Sequence, residues 1–314
     1  MARLNRRTFL KLVGASLANY LLDPRSPSPL RTRFEENVRA AIGTRAMGVD
    51  VRKLDAVGSE LFRIQVNPFD YYPIASCFKA FAILYYFWYT PLDEWDYDEG
   101  STAYSVAVFS NNPATGILLD EVGRRIRRAG NAIEKFNDFL TFEMFLPLGL
   151  YSWNWEDSPT ANMVDTRYIA RASRSVRIPE GDFLIDNVCT AAELADGYMF
   201  LARTDNDLVA HTHFQEVLTA TRALLSISAP DYESPIERTF PNGYTGKDGI
   251  LPSDQLPVGR VVADAGLIWV DNGAYIVSFM SAGESESTAL YVLQVISDEI
   301  QNYETYMQLV RFSR

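Results

Sequence analysis

Cysteine and histidine are nearly missing, with two of each in 314 residues. Cys77 and Cys189 are too few for a disulfide framework. They either form one bridge or remain two free buried thiols, and the second is expected. Neither stands at a metal-ligand spacing. His211 and His213 alternate as "HTH" with no third ligand, which suits a surface helix better than a zinc site. No cofactor or metal is therefore expected. Positive charge is also scarce: 29 Lys and Arg face 40 Asp and Glu, giving a net charge of −11. After residue 53 the basic patches reduce to "RRIRR" at Arg124–Arg128, read as a solvated helix face, so nucleic acid is not an expected partner. Internal repeats are absent. The first apolar stretch, Leu12 to Leu22, is too short for a comfortable membrane span.

The opening of the chain carries its own information. "NRRTFLKLVGASLANYLL" places Arg6 and Arg7 before Phe9, Leu10 and Lys11, then an apolar stretch broken by small residues. It resembles a twin-arginine export signal, with Asn5 in the first place of the pattern. Export through the twin-arginine machinery is implied, to the periplasm, the cell surface or the outside. The segment is either cut near Leu22 or kept as an anchor, and only in that second case does the chain touch a membrane. Removing residues 1–22 deletes Arg3, Arg6, Arg7 and Lys11 and no acid, so −11 becomes −15. A Pro/Ser linker over 23–33 follows.

The rest, 34–314, reads as one domain; 47% hydrophobic and 13% aromatic residues are enough for a sizeable core. A short amphipathic helix is expected over Phe34–Ile42. "AMGVDVRKL" and "ELFRIQV" read as a hairpin turning at Gly58–Ser59. Helical patterns dominate from Ser76 to about Phe139. "TAAELADGYMFLAR" is a helix with a capping box, Thr190 and Glu193. "EVLTATRALLSI" is helical too. Strands return at Val261–Val262 and "AGLIWV", then "AYIVSFMSA" after a turn at Asp271–Gly273. "STALYVLQVISDEIQNY" closes the chain as a helix. Strands from 45–67 and 244–282 should pair into one antiparallel sheet, with a helical part over about 76–230 inserted between them.

The chemistry centres on "YYPIASCFKAF". Ser76 and Lys79 are three apart, so a helix puts them on one face. The apolar run after them, "AFAILYYFWY", would bury the lysine and lower its pKa. A neutral amine can then take the serine proton and make a nucleophile without histidine. "VFSNNPATGILLDEVG" supplies Ser110, placed to relay a proton, and Asn112, placed to hold Lys79. Its Asn and Pro113 also suit a plain helix start. "YTGKDGILP" supplies Lys247, Asp248 and Gly249.

In order, S-x-x-K, S-x-N and K-x-G make the chain similar to the penicillin-recognising serine hydrolases, the class A β-lactamases and D-alanyl-D-alanine peptidases. The flanks, "LFRIQVNPFDYYPIASCFK", "FLPLGLYSW" and "GRVVADAGLIWVDNGAYIVSFMSAG", extend the resemblance over roughly 34–303. It implies an α+β fold, an antiparallel sheet flanked by helices plus a helical subdomain. It also implies acyl transfer through a Ser76 acyl-enzyme, with Lys79 as general base, Ser110 as proton relay and Asn112 positioning Lys79 and the substrate. Lys247 would bind a substrate carboxylate, together with Asp248 and Gly249. The backbone N–H groups of Ser76 and Ile250 would form the oxyanion hole. The implied ligand is a β-lactam or a cell-wall peptide or ester.

Four positions depart from the pattern. Asn111 replaces an aspartate. Asp248 replaces the Thr or Ser of K-T-G; an ionised aspartate only accepts hydrogen bonds and would repel a ligand carboxylate unless protonated or turned onto Lys247. Only 34 positions separate Ser76 from Ser110, which trims the helical part and opens the cleft. Glu156 is the candidate deacylating acid, but its asparagine partner is displaced to Asn162. A register placing Asp264-Ala265-Gly266 at the K-x-G site would leave Lys247 without a role. The rival reading is a catalytically lapsed module that binds a cell-wall ligand or a partner in the same cleft.

Overall fold

Strand β1, Met47–Leu54, lies inside a five-stranded sheet of order β2-β1-β11-β10-β9, where β2 is Glu60–Val66, β9 Tyr244–Leu251, β10 Val261–Val270 and β11 Gly273–Ala282. Neighbours run antiparallel throughout. Both ends of the chain thus build one sheet, as the sequence suggests. The computed structural model describes residues 29–312 apart from 147, 151, 154–161, 164–173, 204–212 and 241–242. Arg6, Arg7, Glu156 and His211 lie outside the described residues.

Alternation is visible on the edge strand β2 and lost on the central β1, which is buried along its whole length. Both faces of this central strand are covered, so Asp50 and Arg52 are buried as well and pair with each other at 3.0 Å. Strand β11 shows the two faces best. Tyr275, Val277 and Phe279 pack with helix α1 (Pro29–Ile42) and the closing helix α9 (Glu286–Phe312), whereas Ile276 and Met280 pack on the helical part. The β10–β11 turn needs Gly273: its φ is +120° and a Cβ there would lie 2.1 Å from the Leu54 carbonyl oxygen.

Helix α1 begins at Pro29, inside the segment expected to be linker; proline suits a first helical turn because it lacks an N–H that would be unpaired there anyway. The expected long helical stretch is broken into α2 (Lys79–Tyr89), α3 (Thr102–Ala107), α4 (Asn112–Arg125) and α5 (Ala132–Phe142). Nine of the eleven residues of α2 are buried, so it is apolar all round and forms the axis of the helical part. Phe81, Tyr85 and Phe136 pack there, each burial contributing about 1.5–3 kcal/mol.

The "RRIRR" run is not a single helix face. Helix α4 ends at Arg125; Arg125 pairs with Glu94 at 2.7 Å and Arg128 with Asp138 at 3.0 Å. Three short strand pairs fall between or beside the helices: β3 (Tyr71–Pro73) with β8 (Val188–Thr190), β4 (Ser152–Trp153) with β5 (Asn162–Met163), and β6 (Arg174–Ile178) with β7 (Gly181–Ile185). Helix α6, Ala191–Leu201, carries the Thr190–Glu193 capping box. Helices α7 (Phe214–Leu225) and α8 (Pro235–Thr239) lead back to the sheet. Cys77 and Cys189 are buried and free, and the Cys189 Sγ lies 3.6 Å from the Met280 Sδ.

Candidate active site

One cleft of about 620 Å³ opens between the helical part and the free edge of β9. Ser76, Ser110, Asn112, Lys247, Asp248, Gly249 and Ile250 all line it. Three segments far apart in the chain therefore meet, each delivered by a distinct local device.

Ser76 sits in a 3-10 turn, Ala75–Phe78, that runs into α2. The α-helix proper starts at Lys79, so the serine lies just before it rather than on its first turn. Ala75 has φ +48° and Ser110 has φ +52°, a left-handed conformation that residues with a Cβ rarely adopt. Such strain, on the order of 1–3 kcal/mol each, persists only where the surroundings hold it, and it gathers at functional sites. At Ser110 the kink turns both the carbonyl oxygen and the hydroxyl onto Lys79. Asn111 then caps α4, accepting from the Ala114 N–H at 2.8 Å, which leaves the Asn112 side chain to face the lysine.

Lys79 is fully buried. Its Nζ contacts the Ser110 carbonyl oxygen at 2.5 Å, the Asn112 Oδ1 at 2.5 Å and the Ser110 Oγ at 3.1 Å. Two of these partners are pure acceptors and the third is a hydroxyl. All three accept from the lysine nitrogen, so they match the three N–H groups of an ammonium; deprotonation keeps two N–H groups for the carbonyl oxygens and frees a lone pair. Burial, followed by the nearby Lys247 charge, brings the Lys79 pKa down to about 7.

Gly249 lets β9 approach the Ser76 turn. A Cβ at this position would lie 2.3 Å from the Ser76 backbone nitrogen and 2.6 Å from the Ala75 Cβ. Gly249→Ala is expected to push the turn from the strand and lower the acylation rate at Ser76 by at least about 100-fold, the scale of a 1 Å misplacement. Stopped-flow acylation of the folded variant checks this.

Asp248 does not point an unmet charge into the cleft. Its Oδ1 accepts from the Lys247 Nζ at 2.8 Å, and its Oδ2 accepts from the Tyr232 hydroxyl at 2.6 Å. Burial by itself would raise this carboxyl, but the Lys247 charge and hydrogen bond, with the Tyr232 hydroxyl, outweigh it and hold the pKa below the ordinary carboxylate value. Asp264 stands opposite Asp248 across β9–β10. It is fully buried, accepts from the Ile236 N–H at 2.7 Å and the Tyr244 hydroxyl at 2.6 Å, and lies outside the cleft lining. Burial and then the Asp248 charge raise it to about 7. Its role is to anchor the start of α8.

Tyr232, Phe109 and the Arg260–Glu286 pair also line the cleft. Phe109 directly precedes Ser110, and the other three lie outside the motifs. Tyr232 sits in the loop before α8, where neither periodicity nor spacing distinguishes it.

The fold is similar to those of solved class A β-lactamases. An ancestral class A β-lactamase, reconstructed for Gram-negative bacteria, aligns with a TM-score of 0.55 at 16% identity, covering 87% of this chain and 99% of that one. A β-lactamase from Sphaerobacter thermophilus aligns with a TM-score of 0.55 at 17% identity over 86% of this chain and 95% of that one. One from Streptosporangium roseum gives 0.54 and 13% over 86% and 99%. The fold is that of the class A β-lactamases. No family model and no curated protein matches the chain. The β-lactamase fold thus stands on backbone architecture, and at such low identity the chemistry must be argued from the side chains in the cleft.

Proposed function

We propose that the protein is an exported serine hydrolase that works through a Ser76 acyl-enzyme. The observation that carries this reading is the buried Lys79, held by Ser110 and Asn112 at the back of the cleft that Ser76 lines. A lysine with a pKa of about 7 is a general base matched to neutral pH.

In this mechanism neutral Lys79 takes the Ser76 hydroxyl proton as Oγ bonds to the substrate carbonyl carbon. The carbonyl oxygen becomes an oxyanion, received by the N–H groups of Ser76 and Ile250. As the tetrahedral species collapses, the Lys79 ammonium returns the proton through the Ser110 hydroxyl to the leaving group, and the acyl group stays on Ser76. Water then attacks the acyl ester, releasing the carboxylic acid and restoring Ser76. The substrates are carbonyl compounds of the β-lactam, peptide or ester type, including cell-wall peptides.

The test is exposure of the purified protein to a fluorophosphonate and to a fluorescent penicillin. Turnover identifies a hydrolase, and a lasting adduct identifies acylation without deacylation. Silence with both probes contradicts the proposal and favours a module that only binds.

Export rests on Arg6 and Arg7. Changing both to lysine is expected to leave the folded protein in the cytoplasm, as read by fractionation. Equal abundance outside the cytoplasm would refute the twin-arginine reading.

A further inference from the structure

The buried cation Lys247 in the cleft lining is already neutralised from within. Lys247 Nζ donates to the Asp248 Oδ1 at 2.8 Å and to the Asp248 carbonyl oxygen at 3.3 Å. The other carboxylate oxygen is closed by Tyr232. This set is built into the fold. Ser234 caps α8 through the Glu237 N–H, and the Ile236 N–H is fixed on buried Asp264. Tyr232 therefore leaves a pinned segment, with a bridge to Ala229 across its own turn. Burial and then the Asp248 charge push the Tyr232 hydroxyl well up, so it stays a donor.

The other cation lining the cleft, Arg260, pairs with Glu286 at 3.0 Å. Asp231 adds a further acid to the lining. The lining charges are then Lys247 and Arg260 against Asp231, Asp248 and Glu286. Phe109, Pro230, Leu251 and Pro252 supply apolar wall.

We propose that the Ser76 cleft selects uncharged substrates, neutral esters or amides with apolar groups, because Asp248 occupies the place on Lys247 that a substrate carboxylate would take and Tyr232 holds it there. The inference rests on the Ser76 acyl-enzyme reading and narrows its substrate class. An incoming carboxylate meets a Lys247–Asp248 pair with no net charge, gains no free partner at Lys247, and loses its water in exchange. The charge-assisted hydrogen bond that Lys247 no longer offers is worth about 1.5–3 kcal/mol, or about tenfold to a hundredfold in rate. An uncharged ligand meets neither cost.

Benzylpenicillin and its methyl ester isolate this effect, since they differ only in the carboxylate. Their second-order acylation rates are measured by intact-protein mass spectrometry on the full chain. The wild type is expected to favour the methyl ester by about tenfold to a hundredfold. Asp248→Thr and the isosteric Asp248→Asn should both shift the acid-to-ester ratio toward the acid by about that factor. Tyr232→Phe, which keeps the carboxylate, should leave the preference with the ester. Equal or faster acylation by the free acid in the wild type would overturn the proposal. So would an unchanged ratio in both Asp248 variants. Arg260 is the competing receptor, since its Nε is buried with no hydrogen-bond partner; rapid acylation by the acid that Arg260→Gln abolishes would assign the anion to it instead. Absence of any adduct, even with a fluorophosphonate, would overturn the acyl-enzyme reading itself, an outcome separate from a wrong charge preference.

Discussion

Ser76→Ala is expected to abolish covalent labelling by a fluorophosphonate, with no residual adduct above background. The side chain is half-buried in a 3-10 turn at the floor of the cleft, and the Ala75 backbone strain exists whether or not the hydroxyl is present. The variant should therefore fold and differ in one oxygen atom. Labelling at the wild-type rate would place the nucleophile elsewhere.

Lys79→Ala is expected to slow acylation by about 10²–10⁴-fold, the usual worth of general-base assistance. The wild type should also show the pH dependence of the group itself. The reactive form is the neutral amine, so protonation removes the base. With a folded pKa of about 7, acylation should fall about tenfold per pH unit below that value and level off above it. The direction follows from burial and the neighbouring Lys247 charge, which both disfavour the ammonium. The reverse slope, or a profile flat through pH 5–9, would mean that Lys79 is not the base.

Much of this was legible in the sequence, for physical reasons that differ by segment. The β1–β2 hairpin, the β10–β11 turn and the α6 capping box follow from local chemistry: a positive-φ glycine in each turn and a Thr-x-x-Glu spacing. The sheet uniting both chain ends follows from strands at both ends and helices between. The meeting of Ser76, Ser110 and Lys247 in one cleft follows only from motif resemblance, because no periodicity brings residues so distant together. Other features had no local signal. Ala75 and Ser110 adopt left-handed conformations that nothing in an alanine or a serine announces. The 3-10 turn at Ser76 looks like helix because its apolar neighbours are equally buried in either form. The hairpin β6–β7 is short and half-exposed, so its pattern is weak. Tyr232 reaches Asp248 from a loop sixteen residues earlier, a contact set by where Asp264 pins α8. The charge of Asp248 and a turn onto Lys247 were readable as an alternative; the Tyr232 hydroxyl that holds its other oxygen was not.

The same comparison explains why the cleft's architecture and its charge preference separate. Backbone features place the Ser76 turn against an edge strand, and Gly249 is the residue that permits the contact. The side chains then decide what binds. In this cleft they spend the lysine on an internal carboxylate.

The most direct measurement is peptide mapping of the protein after brief exposure to a neutral activated ester at pH 8, with mass spectrometry of the quenched sample. A single acyl group on the peptide containing Ser76, missing in Ser76→Ala and much reduced in Lys79→Ala, is the expected result. An acyl group on another residue, or none at all in a folded sample, would contradict the Ser76 acyl-enzyme.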